Sequence, residues 1–303
     1  MSIAVVGSLH LDLMVEAPGL PRLGETVAGR AWSERPGGKG GNQAIAAARN
    51  GATVTMLGLV GADEFGGRLR ANLQAEGVDT DGVAVREGAT SGISVAISDA
   101  SGDYAAVIVS GVNLLLDAAL IRSQARRLAG RSWLLLQNEV PEAANLAAAQ
   151  LARAGGARVL LNAAPARALS AELMGLVDIL VVNALEAEML SGRVVSDLAA
   201  AQEAASVLAG RVPCAVVTAG EAGLACAGRD GELVLPGLPV AVVSTHGAGD
   251  ALVGALAARL DAGDSLIHAL HYANAAAAMT VQATEAERSL IRADRVSRWL
   301  EAR

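Results

Sequence analysis

The chain has 303 residues, 52% hydrophobic and 18% charged, a balance that supports a large core and excludes a disordered polymer. Its formal net charge of −7 argues against a nucleic-acid partner, but not against a phosphate held by local N–H groups or single basic side chains. Aromatic residues are only 2%, so Ala, Val and Leu must fill the interior. No uninterrupted apolar run is long enough to span a bilayer, so no membrane association is expected.

The chain runs straight into Ile3-Ala4-Val5-Val6 without a basic leader. This reads as a first strand rather than a signal peptide, and a cytoplasmic location is expected. Ser8, His10 and Asp12 alternate with Leu9, Leu11 and Leu13. Alternation puts the polar side chains on one face at the strand's C-terminal end, where open α/β sheets bind ligands; a solvated loop is the alternative. Residues 14–36 are broken by Pro18, Pro21, Gly24, Gly29 and Pro36, with extended pieces such as Thr26-Val27-Ala28 between them. A second β-like patch covers Val83–Val109, with pieces at Val83–Val85, Ile93–Ile97 and Ala105–Val109 and a turn at Ser101-Gly102-Asp103. Together the patches predict a small lid sheet drawn from about 14–36 and 83–109.

Between the patches lies Gly37-Gly38-Lys39-Gly40-Gly41-Asn42-Gln43, followed by a helix over Ala44–Asn50 stopped by Gly51. Four glycines let the backbone approach a ligand closely, and Lys39 and Asn42 are candidate contacts; a flexible hinge is the alternative. The stretch is not a Walker A loop, because Gly40 follows Lys39, and no G-x-G-x-x-G follows a strand.

From here strands and helices alternate. Strands are expected at Thr53–Val60, Trp133–Leu136, Val159–Leu161, Ile179–Val182, Ala215–Val217 and Val240–Val243. Helices are expected at Asp63–Glu76, Ala118–Ala129, Pro141–Ala154, Ala199–Ala209, Ala248–Leu260, Ser265–Ala283 and Ala293–Glu301. The pattern predicts an α/β fold, a parallel sheet covered by helices on both faces. Glu139, Asn162, Asn183, Thr218 and Asp250 all fall at or just after strand ends, which line one crevice in such a sheet.

Three turns carry candidate chemistry. Asn183-Ala184-Leu185-Glu186 places an amide and a carboxylate where they can orient water around Mg²⁺, or alternatively form a capping box. Thr218-Ala219-Gly220-Glu221-Ala222-Gly223 leaves room for a nucleotide, or is a simple strand–loop–strand turn. Thr245-His246-Gly247-Ala248-Gly249-Asp250 opens a helix, so its first N–H groups form an anion site with a carboxylate in the first turn. That suits phosphoryl transfer, with Asp250 taking a proton from the attacking hydroxyl; the alternative is an ordinary first-turn acid favoured by the helix dipole. Cys214 and Cys226 are too few and too far apart for a disulfide framework, and read as buried small hydrophobes. His268 and His271 read as a helix-surface pair.

In this order the motifs resemble the ribokinase (PfkB) family of carbohydrate kinases over nearly the whole chain. The resemblance rests on Gly7–Asp12, Pro21–Thr26, Gly37–Gln43, Gly58–Gly66, Leu136–Pro141, Leu161–Ala166 and Gly247–Asp250. It implies one α/β domain over 1–303 with a ribokinase-like three-layer fold: a mostly parallel central sheet, helices on both faces and a small β lid. It implies ATP-dependent phosphorylation of a sugar's primary hydroxyl, with Mg²⁺, ribose being the first acceptor to expect. Asp250 would be the base, and the N–H groups of Gly247, Ala248 and Gly249 the anion hole. His10, Asp12, Gly38, Lys39, Asn42 and Glu139 would line the sugar site. Asn183, Thr218, Gly220, Gly223, His246 and Asn274 would serve the nucleotide, with Glu186 and Asn183 serving Mg²⁺ through water.

The chain also departs from the family's pattern. Ser244 stands where the family has an Asp that helps bind an activating K⁺, Glu285 where it has a Gly, and Ala184 where it has an acid. Weak or absent K⁺ stimulation is therefore expected. His10 stands where ribokinases have Asn, which keeps a nucleoside or another polyol open as acceptor. Ser244 and Glu285 also keep open a non-catalytic binding protein. The exposed edge of the lid predicts a homodimer.

Overall fold

The computed structural model describes residues 2–98, 104–229 and 231–303, so the Ser101-Gly102-Asp103 turn lies outside the described residues. Its first half contains β1 (Ile3–Val6), β2 (His10–Glu16), β3 (Ala31–Gly37), α1 (Lys39–Arg49), β4 (Val54–Gly61), α2 (Glu64–Ala75), β5 (Asp79–Arg86), β6 (Gly92–Ser98), β7 (Tyr104–Val109), α3 (Ala118–Ser123), α4 (Ala125–Leu128), β8 (Trp133–Gln137) and α5 (Glu142–Ala154). There follow β9 (Arg158–Asn162), α6 (Ala171–Met174), β10 (Ile179–Asn183), α7 (Ala184–Ser191), α8 (Leu198–Ala209), β11 (Cys214–Thr218), β12 (Gly223–Gly228) and β13 (Gly231–Pro236). The chain closes with α9 (Ala248–Asp261), α10 (Leu266–Gln282), α11 (Glu285–Arg288) and α12 (Ala293–Glu301).

Among the described residues the main sheet runs β13-β12-β11-β10-β9-β8-β1-β4-β5. Every pairing from β11 to β5 is parallel, and β12 and β13 extend it as antiparallel strands. Alternation along β1 explains the layering. Ile3 and Val5 enter a core shared with Ala44 and Ala47 of α1, Leu252 and Leu256 of α9 and Ala273 of α10. Ala4 and Val6 point the other way, into a core with Ala144 and Ala148 of α5 and Ala201 and Ala204 of α8. Small residues let the helices approach closely: a Cβ added at Gly254 of α9 would stand 2.5 Å from the Ala46 Cβ of α1.

A second sheet runs β3-β2-β6-β7. Its boundaries differ from the sequence expectation. Val83–Val85 belongs to β5 at the edge of the main sheet, paired with β4. Thr26–Ala28 forms no strand, and the second sheet starts at His10, so His10 and Asp12 sit on β2 rather than on the end of β1. The expected strand at Val240–Val243 does not form either. Val242 and Val243 are 65% and 55% exposed, and the Val243 and Ser244 N–H groups both donate to the Val281 carbonyl, at 2.9 and 3.1 Å. A four-residue apolar run carries too little periodicity to separate a strand from a strap lying on a helix end.

Helix α1 begins at Lys39, ahead of the expected start at Ala44, and takes Lys39, Gly40, Gly41 and Asn42 into its first turns. Glycine propensity opposes this, and tertiary packing overrides it. A Cβ at Gly40 would come within 2.7 Å of the Gly7 and Ser8 backbone, and the Gly41 N–H donates to the Ser8 carbonyl at 3.1 Å. The expected Ala118–Ala129 helix is two helices broken at Gln124. No helix among the described residues is long and apolar enough to cross a membrane.

Candidate active site

The N-terminus of α9 points into a cleft of about 190 Å³ whose lining includes Asp12, Arg35, Asn42, His246, Gly247 and Asp250. Gly247 occupies the N-cap with φ of 76°, a left-handed conformation that only glycine adopts cheaply. Its backbone opens α9 at the cleft lined by Gly247, Asp250 and Ala251, and the Ala248 N–H donates to the Thr245 carbonyl at 3.3 Å; the N–H groups that a helix start leaves without an intrahelical partner are the kind that receive an anion.

Asp250 sits in the first turn and is buried. Asn42 Nδ2 donates to its Oδ2 at 3.1 Å and Gln43 Nε2 to its Oδ1 at 2.9 Å. Gln43 Nε2 also donates to Asn162 Oδ1 at 3.0 Å, and Gln43 Oε1 accepts from Gln137 Nε2 at 2.8 Å. One amide from α1 therefore ties the ends of β8 and β9 to the carboxylate of α9. Burial raises the Asp250 pKa above the ordinary carboxylate value, while the Lys39 charge and the Gln43 and Asn42 hydrogen bonds hold it down in part.

Lys39 opens α1. Burial works against its ammonium, but Asp250, Glu139 and Glu186 together outweigh that and raise its pKa, so it remains charged among three carboxylates. Glu139 accepts from the Lys39 backbone N–H at 2.9 Å and from the Ser8 hydroxyl, and lies 3.8 Å from His10 Nδ1. His10 is buried, and its Nε2 has no hydrogen-bond partner among the described residues. Asp12, on the same face of β2, accepts from the Ser94 hydroxyl of β6. Burial raises its pKa, opposed by the Ser94 bond and by His246 and His10. The His246 side chain is 66% exposed, with Nε2 3.9 Å from Asp12 Oδ2, so it bridges the second sheet and the anion turn. Gly38 caps α1 at φ of 86°, and a Cβ there would stand 2.8 Å from the His10 backbone nitrogen.

The remaining predicted residues lie from the end of β10 to α10. Asn183 and Thr218 are paired in register at the ends of β10 and β11. Gly220 lies in a single turn after β11, and Gly223 opens β12 at φ of 119°, where a Cβ would clash with the Leu235 carbonyl. Asn274 of α10 donates to the Pro236 carbonyl at the end of β13, at 3.1 Å. No hydrogen bond among the described residues joins Thr218, Gly220, Gly223 or Asn274 to the Asp250 cluster.

Asn183 and Glu186 form a capping box: Asn183 Oδ1 accepts from the Glu186 N–H at 3.0 Å, and Glu186 Oε2 from the Asn183 N–H at 2.9 Å. Capping does not exhaust Glu186, which is buried and faces the charges of Lys39 and Asp250. Burial raises its pKa. No group of three His, Cys, Asp or Glu among the described residues is placed to hold a bare ion. One buried carboxylate and one amide fit an ion such as Mg²⁺, which keeps most of its waters and binds phosphate oxygens.

The sequence reading gives no role to Gln43, Gln137 or Ser94, although Gln43 and Gln137 stand inside the motifs that carry the family resemblance. Polar residues in a chain this aliphatic, at strand ends or beside glycines, were the signal. Cys214 and Cys226 are buried as expected, but the β11–β12 hairpin brings their Sγ atoms to 3.4 Å. His268 and His271 lie on the α10 surface.

An anion-receiving turn with a buried carboxylate beside it, at the strand ends of a three-layer α/β fold, defines a phosphotransferase acting on a hydroxyl. The chain belongs to the pfkB family of carbohydrate kinases, whose profile matches residues 1–292. It is 32% identical over 290 residues to the ribokinase of Haemophilus influenzae, with 95% of each chain covered. It is 35% identical over 294 residues to the ribokinase of Mus musculus, covering 95% of this chain and 91% of the relative. Among solved structures, Arabidopsis thaliana ribokinase complexed with ribose and ATP matches with a TM-score of 0.88 at 28% identity, covering 99% of this chain and 98% of that one.

Proposed function

We propose that this chain is an ATP-dependent sugar kinase, most like ribokinase, that phosphorylates a primary hydroxyl, with ribose as its first acceptor. The single observation that carries this reading is the Asp250 carboxylate, buried at the N-terminus of α9 and aimed by two amide donors. His10, Asp12, Gly38, Lys39, Asn42 and Glu139 hold the sugar, and the four-stranded sheet acts as the lid of a single domain, excluding water as it closes. Asp250 takes the hydroxyl proton as the oxygen attacks in line. The N–H groups of Gly247, Ala248 and Gly249 stabilise the phosphoryl oxygens. Thr218, Gly220, Gly223, His246 and Asn274 serve the nucleotide. Asn183 and Glu186 would hold Mg²⁺ through water, and the ion would supply charge neutralisation at the ATP phosphates.

The Nε2 of buried His10, which has no hydrogen-bond partner among the described residues, favours a second reading, in which the acceptor is a nucleoside or another polyol whose hydroxyl meets that nitrogen. The intact Asp250 network speaks against a non-catalytic binding protein. Exposed Trp32 of β3 and Val107 and Val109 of β7 support a homodimer through the second sheet. A cytoplasmic location fits the use of ATP.

The test is ADP release measured across pentoses, hexoses and nucleosides, with and without K⁺. Ribose is expected to lead, and K⁺ to change the rate little, since a Ser244 hydroxyl is a poorer cation ligand than a carboxylate. Preference for a nucleoside would select the second reading, and strong K⁺ activation would contradict the assignment at Ser244.

A further inference from the structure

The strap before the anion turn is held from both sides. The Ser244 N–H donates to the Val281 carbonyl, and the Ser244 carbonyl accepts from Arg288 Nη2 at 3.2 Å. Arg288 Nη1 lies 3.8 Å from the position a Cβ on Gly247 would take, so the guanidinium sits beside the anion turn, and Arg288 lines the same cleft as Gly247 and Asp250. The Arg288 side chain is only 13% exposed. Its backbone is pinned too, because Arg49 Nη1 donates to the Arg288 carbonyl at 3.0 Å while Glu76 grips Arg49 at 2.6 and 3.0 Å.

The charge of this guanidinium is poorly neutralised. Its nearest carboxylate is Glu285, at 3.8 Å, and Glu285 is closer to Arg35 of β3, at 3.0 Å. Arg288 Nε is buried with no partner among the described residues. Burying a cation this way costs stability, and a purely structural strap needs no such group. Burial lowers the Arg288 pKa, yet a guanidinium stays charged near neutral pH.

We propose that Arg288 is a positioning residue for phosphoryl transfer: it fixes the Ser244 carbonyl and places a permanent positive charge beside the N–H groups that receive the phosphoryl oxygens. The inference rests on the kinase reading above. Preorganised charge of this kind acts when negative charge develops in the transition state, so its loss lowers kcat more than it changes sugar binding. Fixing the strap also sets the direction in which the Gly247–Gly249 N–H groups point.

The experiment compares Arg288→Gln, Arg288→Lys and Arg288→Ala with the parent, measuring kcat, KM for sugar and ATP, and thermal midpoint. Arg288→Gln is expected to lose about 10- to 100-fold in kcat, with sugar KM within about two-fold. Arg288→Lys should retain clearly more activity, because it keeps the charge without the fork. Guanidinium at sub-denaturing concentration should raise the rate of Arg288→Ala about five-fold or more and leave the parent unchanged. Should Arg288→Ala fail to fold, the Gln and Lys pair at matched stability decides. Arg288→Gln at the parental rate, or equal losses in Gln and Lys without guanidinium rescue, would overturn the proposal. An inactive parent would instead overturn the kinase reading beneath it.

Discussion

Asp250→Asn is expected to lower kcat by about a thousandfold while sugar affinity changes by less than about threefold. The substitution keeps the side-chain shape and leaves an oxygen to accept from Asn42 or Gln43, so the cleft should persist. It removes the group able to take a proton from the attacking hydroxyl. The same residue sets the expected pH dependence. Burial raises the Asp250 pKa, so the carboxylate binds its proton at a higher pH than an ordinary acid does. Because Asp250, as the proposed base, works only when unprotonated, kcat/KM of the parent should fall as pH drops through that raised value. The acid limb should therefore lie above the ordinary carboxylate range. Single-turnover rates and calorimetric sugar titration check both halves. Turnover of the Asp250→Asn variant at the parental rate would remove Asp250 from the chemistry.

Gln43→Met is expected to affect stability and catalysis together. Gln43 is fully buried and bonds Asp250, Asn162 and Gln137 at once. Methionine fills a similar volume but leaves these partners without it, at a cost of about 2–4 kcal/mol in unfolding free energy. The catalytic consequence has a definite sign. The Gln43 bond favours the charged form of Asp250, so losing it raises the Asp250 pKa further. The acid limb of kcat/KM should then move to higher pH than in the parent. Urea unfolding gives the first quantity and a pH–rate profile the second. A limb that stays in place or moves to lower pH would show that Gln43 does not tune the base.

Most of the layered fold was legible because parallel strands and their covering helices differ sharply in pattern. Short apolar runs such as Ile179–Val182 are bounded by polar ends, and the helices carry clear stops at Gly51 and Gly77, which take φ of 93° and 79°. The second sheet was harder. Its strands are half-exposed, and the pairing of β2 with both β3 and β6 is set by contacts across the chain rather than by local pattern. Val83–Val85 looked like its neighbours in sequence yet pairs with β4. The early start of α1 was hidden because its glycines oppose a helix locally, and only the close approach to Gly7 and Ser8 reveals why they are there. In the site, Asp250, Asn42, Lys39 and Glu139 were visible as polar residues in an aliphatic chain. Gln43 and Arg288 act through other groups, and their partners lie far away in sequence.

The most direct measurement identifies the product formed from ribose and ATP with Mg²⁺ by phosphorus NMR, alongside ADP release. The expected product is a sugar phosphate formed in equal amount to ADP, its phosphorus split by the two protons of a CH₂ group, as a primary-hydroxyl ester requires. ADP released without sugar phosphate, or a phosphorus coupled to a single ring proton, would contradict transfer to the primary hydroxyl at Asp250.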